Sequence, residues 1–257
     1  MQIPKDLKIV GLTKVRNEEH IIKDTLDNWS LICNGGIYVY DDVSEDRTVE
    51  ICEAHSNVKE VIKGTFWDPD REKADMLTRQ AVLMRAQQFA DNNTWFAYFD
   101  ADEHLYNFDD FNLFSNPDVK AIACRLYDFY ITPEDIDKNY EERQFIGPEF
   151  RTIVFFFKNS PYLSYTQPDQ RIVNLEPDIQ IPIHGDIKHY GKGFSVDHWE
   201  ETCDYYIRWW PKYAAKWAKR KGKAIKKDML SDFGNRLIKW VDRKQGFSLE
   251  TQSYGRN

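Results

Sequence analysis

Three carboxylates crowd the end of one apolar run. In WFAYFDADEHLY, residues 95–106, Asp100, Asp102 and Glu103 follow directly on Trp95 to Phe99. Like charges that close repel one another and resist desolvation unless a cation or a donor compensates them. The Asp-Ala-Asp alternation, with nearby waters, suits a hard divalent cation, and such a cation neutralises a diphosphate. The plain alternative is a strand-end turn or a helix cap, roles that Asp fills equally well. A second acidic pair, Asp41-Asp42, closes the run GIYVYDD (36–42) in the same way.

The elements around these groups decide between the two readings. LKIVGL (7–12) is a short β-branched run, and NEEHIIKDTLDNWSL (17–31) follows with Ile21, Ile22, Leu26 and Trp29 in helical spacing. GIYVYDD repeats the strand signal, SEDRTVEICEAH (44–55) reads as a helix entered through a Ser or Asp cap, and VKEVIK (58–63) is a third strand. A long helix from Arg71 to about Asp91 precedes the strand WFAYFD. Strands alternating with helices predict an α/β fold with a mainly parallel central sheet. In such sheets ligands gather beyond the carboxyl ends of the strands, where both acidic clusters fall. After residue 119 the expected strands are VKAIACRLYDFY, RTIVFFFK and YLSYTQ. A helical, aromatic end then carries Trp199, Tyr206, Trp210, Tyr213 and Trp217 close to helical periodicity.

Whole-chain properties narrow the class. With 42% hydrophobic residues and a mean hydropathy of -0.66, the composition is that of a globular domain, and no run approaches the roughly 20 apolar residues of a membrane span. The first residues lack signal-peptide features, so a cytoplasmic location is the expectation. Cys33, Cys52, Cys124 and Cys203 form no CxxC pair, which favours reduced structural thiols over a zinc knuckle or a disulfide framework. A net charge of -7 disfavours a protein that coats nucleic acid. Yet KYAAKWAKRKGKAIKK (212–227) holds eight basic side chains and no acidic one, a local match for an anionic partner.

Taken in order, TKVRNEEHIIKDTLDNW, GIYVYDDVSEDRTVEIC and WFAYFDADEHL resemble the nucleotide-binding half of family 2 glycosyltransferases of the GT-A fold. The similarity is greatest to the branch with a DADE metal motif, which includes lipopolysaccharide-core transferases, and it covers roughly residues 7–110. The resemblance implies a GT-A catalytic domain over 1–196, with a nucleotide-binding half to about 118 and an acceptor half over 119–196. A helical aromatic and basic segment, 197–257, would pack on it.

For the site, the resemblance implies that Val15, Arg16, Asn17 and Glu18 line the nucleotide and that Asp42 binds the base. Arg79 would face the diphosphate. Asp102 would be the main metal ligand, with Asp100 on ribose or metal and Ala101 between them. His189, in preference to His184, would be a third ligand, and Lys192 would touch phosphate. Asp169, in QPDQRIV, matches the region holding the catalytic base of inverting members, with Glu103, Glu149 and Asp186 as substitutes. Two positions depart from the pattern: Val43 stands where DDGS has glycine, and Arg16 where an aromatic is usual.

The implied cofactor is Mn2+ or Mg2+, and the implied donor a nucleotide-diphosphate sugar. The acceptor would be a glycan, a lipid-linked glycan or another hydroxyl, a modified DNA base included. A nucleotidyltransferase, or a non-catalytic nucleotide-sugar or glycan-binding module, is the rival reading. The first would normally carry a glycine-rich phosphate loop that GLTKVRNEE does not supply.

Overall fold

The computed structural model describes residues 3–249. In chain order the main elements are β1 (Ile9–Val15), α1 (Ile22–Ser30), β2 (Ile37–Asp41), α2 (Thr48–Ala54), β3 (Val58–Lys63), α3 (Arg71–Gln87), β4 (Trp95–Tyr98) and β5 (Glu103–Tyr106). They continue with β6 (Ala121–Phe129), β7 (Phe145–Lys158), β8 (Ile183–His189), α4 (Val196–Trp209), α5 (Pro211–Ala218), β9 (Ile238–Lys239) and β10 (Phe247–Ser248). The chain forms two compact units, one of residues up to Cys124 with Ile153–Gly185, the other of Arg125–Thr152 with the residues from Asp186 onward. The division cuts β6, β7 and β8.

The first unit bears out the α/β expectation. Its strands run in the order β3-β2-β1-β4, all parallel, and β7 joins β4 antiparallel. Continuous apolar runs fit strands covered on both faces. On one face, Val82, Leu83 and Ala86 of α3 cluster with Val10, Leu12, Phe96 and Tyr98. Elsewhere in the core the α1 residue Trp29 stacks on Phe99 with ring centroids 4.4 Å apart and lies 5.8 Å from Phe156. Its indole N–H donates to the Glu103 carbonyl at 2.7 Å, which removes the polar cost of burying tryptophan.

Three expectations need correction. The first helix starts at Ile22 and not near residue 17, because Asn17–His20 serve as a loop pinned to the segment after β2. YLSYTQ forms no strand. It contributes only the isolated bridge Ser164↔Asn174, and its Tyr165 and Thr166 N–H groups donate to the side-chain oxygens of Gln80 and Gln170 instead. The chain end is α-helical to Ala218, and beyond it the described residues hold turns, two short strands and a 3-10 helix over Trp240–Gln245. Pro211 starts a second helix after Trp210, and the positive φ of Gly222 and Gly234 belongs to turns.

In the second unit α4 and α5 pack through aromatics, with Tyr206 stacked on Trp217 at 4.4 Å and Trp199 fully buried. β9 and β10 pair with the Phe145–Phe150 portion of β7, which ties the chain end to that unit. Among the described residues no helix is long and apolar enough to cross a membrane.

Candidate functional site

The order of the strands sets up a topological switch point beside β1. From β1 the chain builds β2 and β3 to one side, then returns through α3 to place β4 on the other side of β1. At such a switch point the loops leaving the two central strands diverge, and ligands bind between them. Val15 pairs with Asp41 and Leu12 with Tyr98, so the loop after β1, the pair Asp41-Asp42 and the turn Asp100-Ala101-Asp102 all lie at the carboxyl-end rim.

The loop after β1 is held against the loop after β2. Arg16 Nη1 donates to the carbonyls of Asp42 and Val43 at 2.7 and 2.6 Å, and the Glu18 N–H donates to Thr48 Oγ1 at 2.7 Å. Val43 sits at φ 61°, a conformation that glycine takes freely and a β-branched residue rarely does, so the grip of Arg16 maintains local strain. Asp42 is buried and ion-paired with Arg71. The guanidiniums of Arg71 and Arg16 lie 4.9 and 5.1 Å from the centre of the Trp67 ring. Neither Arg71 nor Trp67 stood out in the sequence. Arg71 is the first residue of its helix, where a solvated charge is the ordinary expectation.

The acidic turn is held from α1. Thr25 Oγ1 donates to the Ala101 carbonyl and lies 3.0 Å from His104 Nε2. Glu103 is turned inward: its carboxylate accepts from the Asp100 N–H at 2.8 Å and from Arg171 Nη2 at 2.6 Å. That engagement makes it a brace for the turn. Ala101 is buried, whereas Asp100 and Asp102 keep partial exposure. Burial raises the Glu18 carboxyl well above the usual carboxylate range, with Asp102, Asp100 and Asp46 adding to the effect. The three groups expected around metal and nucleotide therefore feel one another's charge.

Arg79 is no solvated helix residue. It is 6% exposed, its Nε donates to Asp75 Oδ2 at 2.8 Å, and its Nη2 lies 3.5 Å from Asp100 Oδ1. Lys14 pairs with the same Asp75. Burial opposes ionisation of Asp75, but Arg79 and Lys14 outweigh it and hold the carboxyl well below its ordinary range. Arg171 Nε approaches Asp100 Oδ2 at 3.7 Å from the opposite segment, and both guanidiniums lie over the Tyr98 ring, at 4.6 and 5.2 Å. Nη1 of each arginine, with the hydroxyls of Tyr98 and Tyr165, is buried without a hydrogen-bond partner among the described residues. Arg171 lies two residues beyond the Asp169 singled out in the sequence.

The donor set at this rim, Asp100, Asp102 and Glu18, is hard oxygen, which fits Mn2+ or Mg2+. Among the described residues no three His, Cys, Asp or Glu side chains converge in a ligating arrangement, so ligand oxygens or waters would have to complete a shell. Asp169 takes φ 56° in the turn after Pro168, and its N–H donates to the Glu72 carbonyl at 3.0 Å.

The remaining predicted groups lie in the second unit, His184 excepted. His189 Nδ1 is 2.5 Å from Asp128 Oδ1, and Lys192 Nζ donates to Asp128 Oδ2 at 2.7 Å. Glu149 accepts from Asn235 Nδ2, and Asp186 pairs with Arg125 and Arg243. His184 lies 3.1 Å from Asp109 Oδ1 and edge-on to Phe108.

No protein-family model and no curated protein matches the chain. Among solved structures it is similar to S. aureus TarS, residues 1-349, in complex with UDP, with 10% identity, a TM-score of 0.40, and coverage of 83% of this chain and 71% of that one. It is also similar to glucosyl-3-phosphoglycerate synthase from Mycobacterium tuberculosis in complex with Mn2+, UDP and glucosyl-3-phosphoglycerate. There the identity is 17% and the TM-score 0.32, with 47% of this chain and 44% of that chain covered. Likenesses of this size leave the assignment to the chain's own residues.

Proposed function

We propose that the chain is a glycosyltransferase of GT-A type that moves a sugar from a nucleotide-diphosphate sugar to an acceptor hydroxyl with inversion. The observation that carries the reading is the rim at the β1/β4 switch point. It brings the loop Val15–Glu18, Asp42, Arg79 and the Asp100-Ala101-Asp102 turn together from four separate stretches of sequence.

Trp67 and the loop around Arg16 offer a flat, cation-flanked surface for a base, with Asp42 holding Arg71 in place. Asp102 and Asp100 would hold a divalent cation, which when bound neutralises the diphosphate. Arg79 and Arg171 bring fixed positive charge beside Asp100, where the departing diphosphate gains negative charge, and donors fixed in advance cost no reorganisation at that moment. Asp169 as base, and His189 and Lys192 as metal and phosphate contacts, rest on the sequence resemblance alone.

Calorimetry tests the reading. A nucleoside diphosphate should bind in the presence of manganese and fail to bind without it or in Asp102→Ala; unchanged affinity in either condition removes the cation from the mechanism. A donor panel separates the rivals. Release of nucleoside diphosphate from a nucleotide sugar identifies a glycosyltransferase, pyrophosphate release from a nucleoside triphosphate supplied with a sugar phosphate a nucleotidyltransferase, and no turnover a binding module.

A further inference from the structure

Asp100 shares its carboxylate between two arginines, and neither arginine depends on it. Arg79 Nη2 lies 3.5 Å from Oδ1 and Arg171 Nε 3.7 Å from Oδ2. Each guanidinium also has a closer anion, Asp75 for Arg79 at 2.8 Å and Glu103 for Arg171 at 2.6 Å. The side chains of Asp75 and Glu103 are 7% and 3% exposed, whereas that of Asp100 keeps 33%. The short buried pairs therefore fix both arginines, and the longer contacts to Asp100 are the ones that can be exchanged. All five residues belong to the first unit.

The loop that carries Arg171 is knit together by side chains. Gln170 Oε1 accepts from the Thr166 and Gln167 N–H groups, and its Nε2 donates to the Ile172 carbonyl and to Asn174 Oδ1. The Asp169 N–H ties the same loop to α3 through the Glu72 carbonyl. The Arg171 guanidinium lies 5.2 Å from the Tyr98 ring centre and 5.3 Å from that of Phe155. Its Nη1 is buried with no hydrogen-bond partner among the described residues. A cation held this firmly despite an unmet donor needs an account beyond the Glu103 pair, and its second contact is Asp100.

We propose that Arg171 is a positioning residue that holds Asp100 back from divalent cations until a nucleoside diphosphate is present. A carboxylate that faces two fixed guanidiniums is a poor ligand for a third cation, because the like charges repel. A diphosphate relieves that repulsion and accepts the hydrogen bonds that Asp100 gives up. Cation and nucleotide then favour each other's binding, and Arg171 sets part of that coupling. The inference rests on the glycosyltransferase reading, since it takes Asp100 as a cation ligand and the nucleoside diphosphate as the anion.

The test measures manganese binding to the full chain through loss of the free-ion EPR signal, with and without a saturating nucleoside diphosphate. In Arg171→Gln, manganese alone should bind about fivefold or more tightly than in wild type. Nucleotide affinity in the presence of manganese should fall about tenfold, for loss of a charged donor. Unchanged or weaker binding of manganese alone overturns the inference, because a merely structural role loosens the turn and weakens both ligands. Unchanged nucleotide affinity overturns the exchange of partners. Arg171→Lys keeps a positive charge beside Asp100 and remains informative if Arg171→Gln does not fold. It should hold manganese alone as wild type does, and a change of about fivefold in either direction overturns the charge argument.

The two readings fail separately. Wild-type nucleotide binding that needs no manganese sinks the glycosyltransferase reading. Manganese-dependent nucleotide binding in wild type, with no gain in manganese affinity on losing the Arg171 charge, sinks this inference alone.

Discussion

Replacing Arg79 by methionine keeps most of the side-chain volume while deleting the guanidinium that links Asp75 to Asp100. Asp75 is 5% exposed and would retain only Lys14 as a cationic partner. Removing one partner of a buried ion pair costs about 3–5 kcal/mol, and the surviving Lys14 contact places this case near 3 kcal/mol. In a chain of this length that lowers the unfolding midpoint by about 6–12 °C. The pH dependence supplies a sharper check. The Asp75 carboxyl is depressed in the folded state, so its stabilising contribution is complete above the unfolded value near 3.8 and is lost as pH falls through the lower folded value. The gap between wild type and Arg79→Met in urea unfolding should therefore be constant from pH 7 to about 5 and narrow below about 4. A gap under about 1 kcal/mol at pH 7, the range of exposed pairs, would refute the buried pair. A gap that persists undiminished at pH 3 would refute its titration. If Arg79 also serves the diphosphate, turnover measured well below the lowered midpoint should fall about a hundredfold or more.

Thr25→Val removes the hydroxyl that holds the Ala101 carbonyl and leaves that carbonyl unsatisfied, at a cost of about 1–3 kcal/mol, and manganese-dependent nucleotide affinity should fall with it. Equal affinity would show that α1 does not position the turn. Gly193→Ala would place a Cβ 2.9 Å from Phe129 Cβ and 3.0 Å from the Phe129 carbonyl carbon, so a destabilisation of about 1–3 kcal/mol is expected in urea unfolding. All four cysteines are buried, with the Cys52 thiol pushed up to about 12 and that of Cys203 to about 11, chiefly by burial. A thiol reagent at pH 8 should label none of them in the native protein and all four after unfolding.

What the sequence made legible, and what it hid, follows from the range over which each residue acts. Trp29 and Leu26 announce α1 because helical burial is a local period, and β1, β2 and β4 announce themselves because strands covered on both faces must be apolar along their whole length. The acidic rim was legible for the same reason: a charged pair that ends a buried strand has few places to go. Arg171 and Trp67 had no such signature. Arg171 matters only because a turn near Pro168, docked on α3 through the Asp169 N–H, brings it to Glu103, 68 residues away in the chain.

Arg79 shows the converse. On a helix its charge reads as solvated until Asp75, four residues earlier on the same face, is seen to be buried with it. The i, i+4 spacing was visible, but its burial was not, because periodicity alone assigns polar faces to water. A polar pair on the inward face of a helix, directly before a strand that ends in carboxylates, is therefore the local sign by which such a site could have been found.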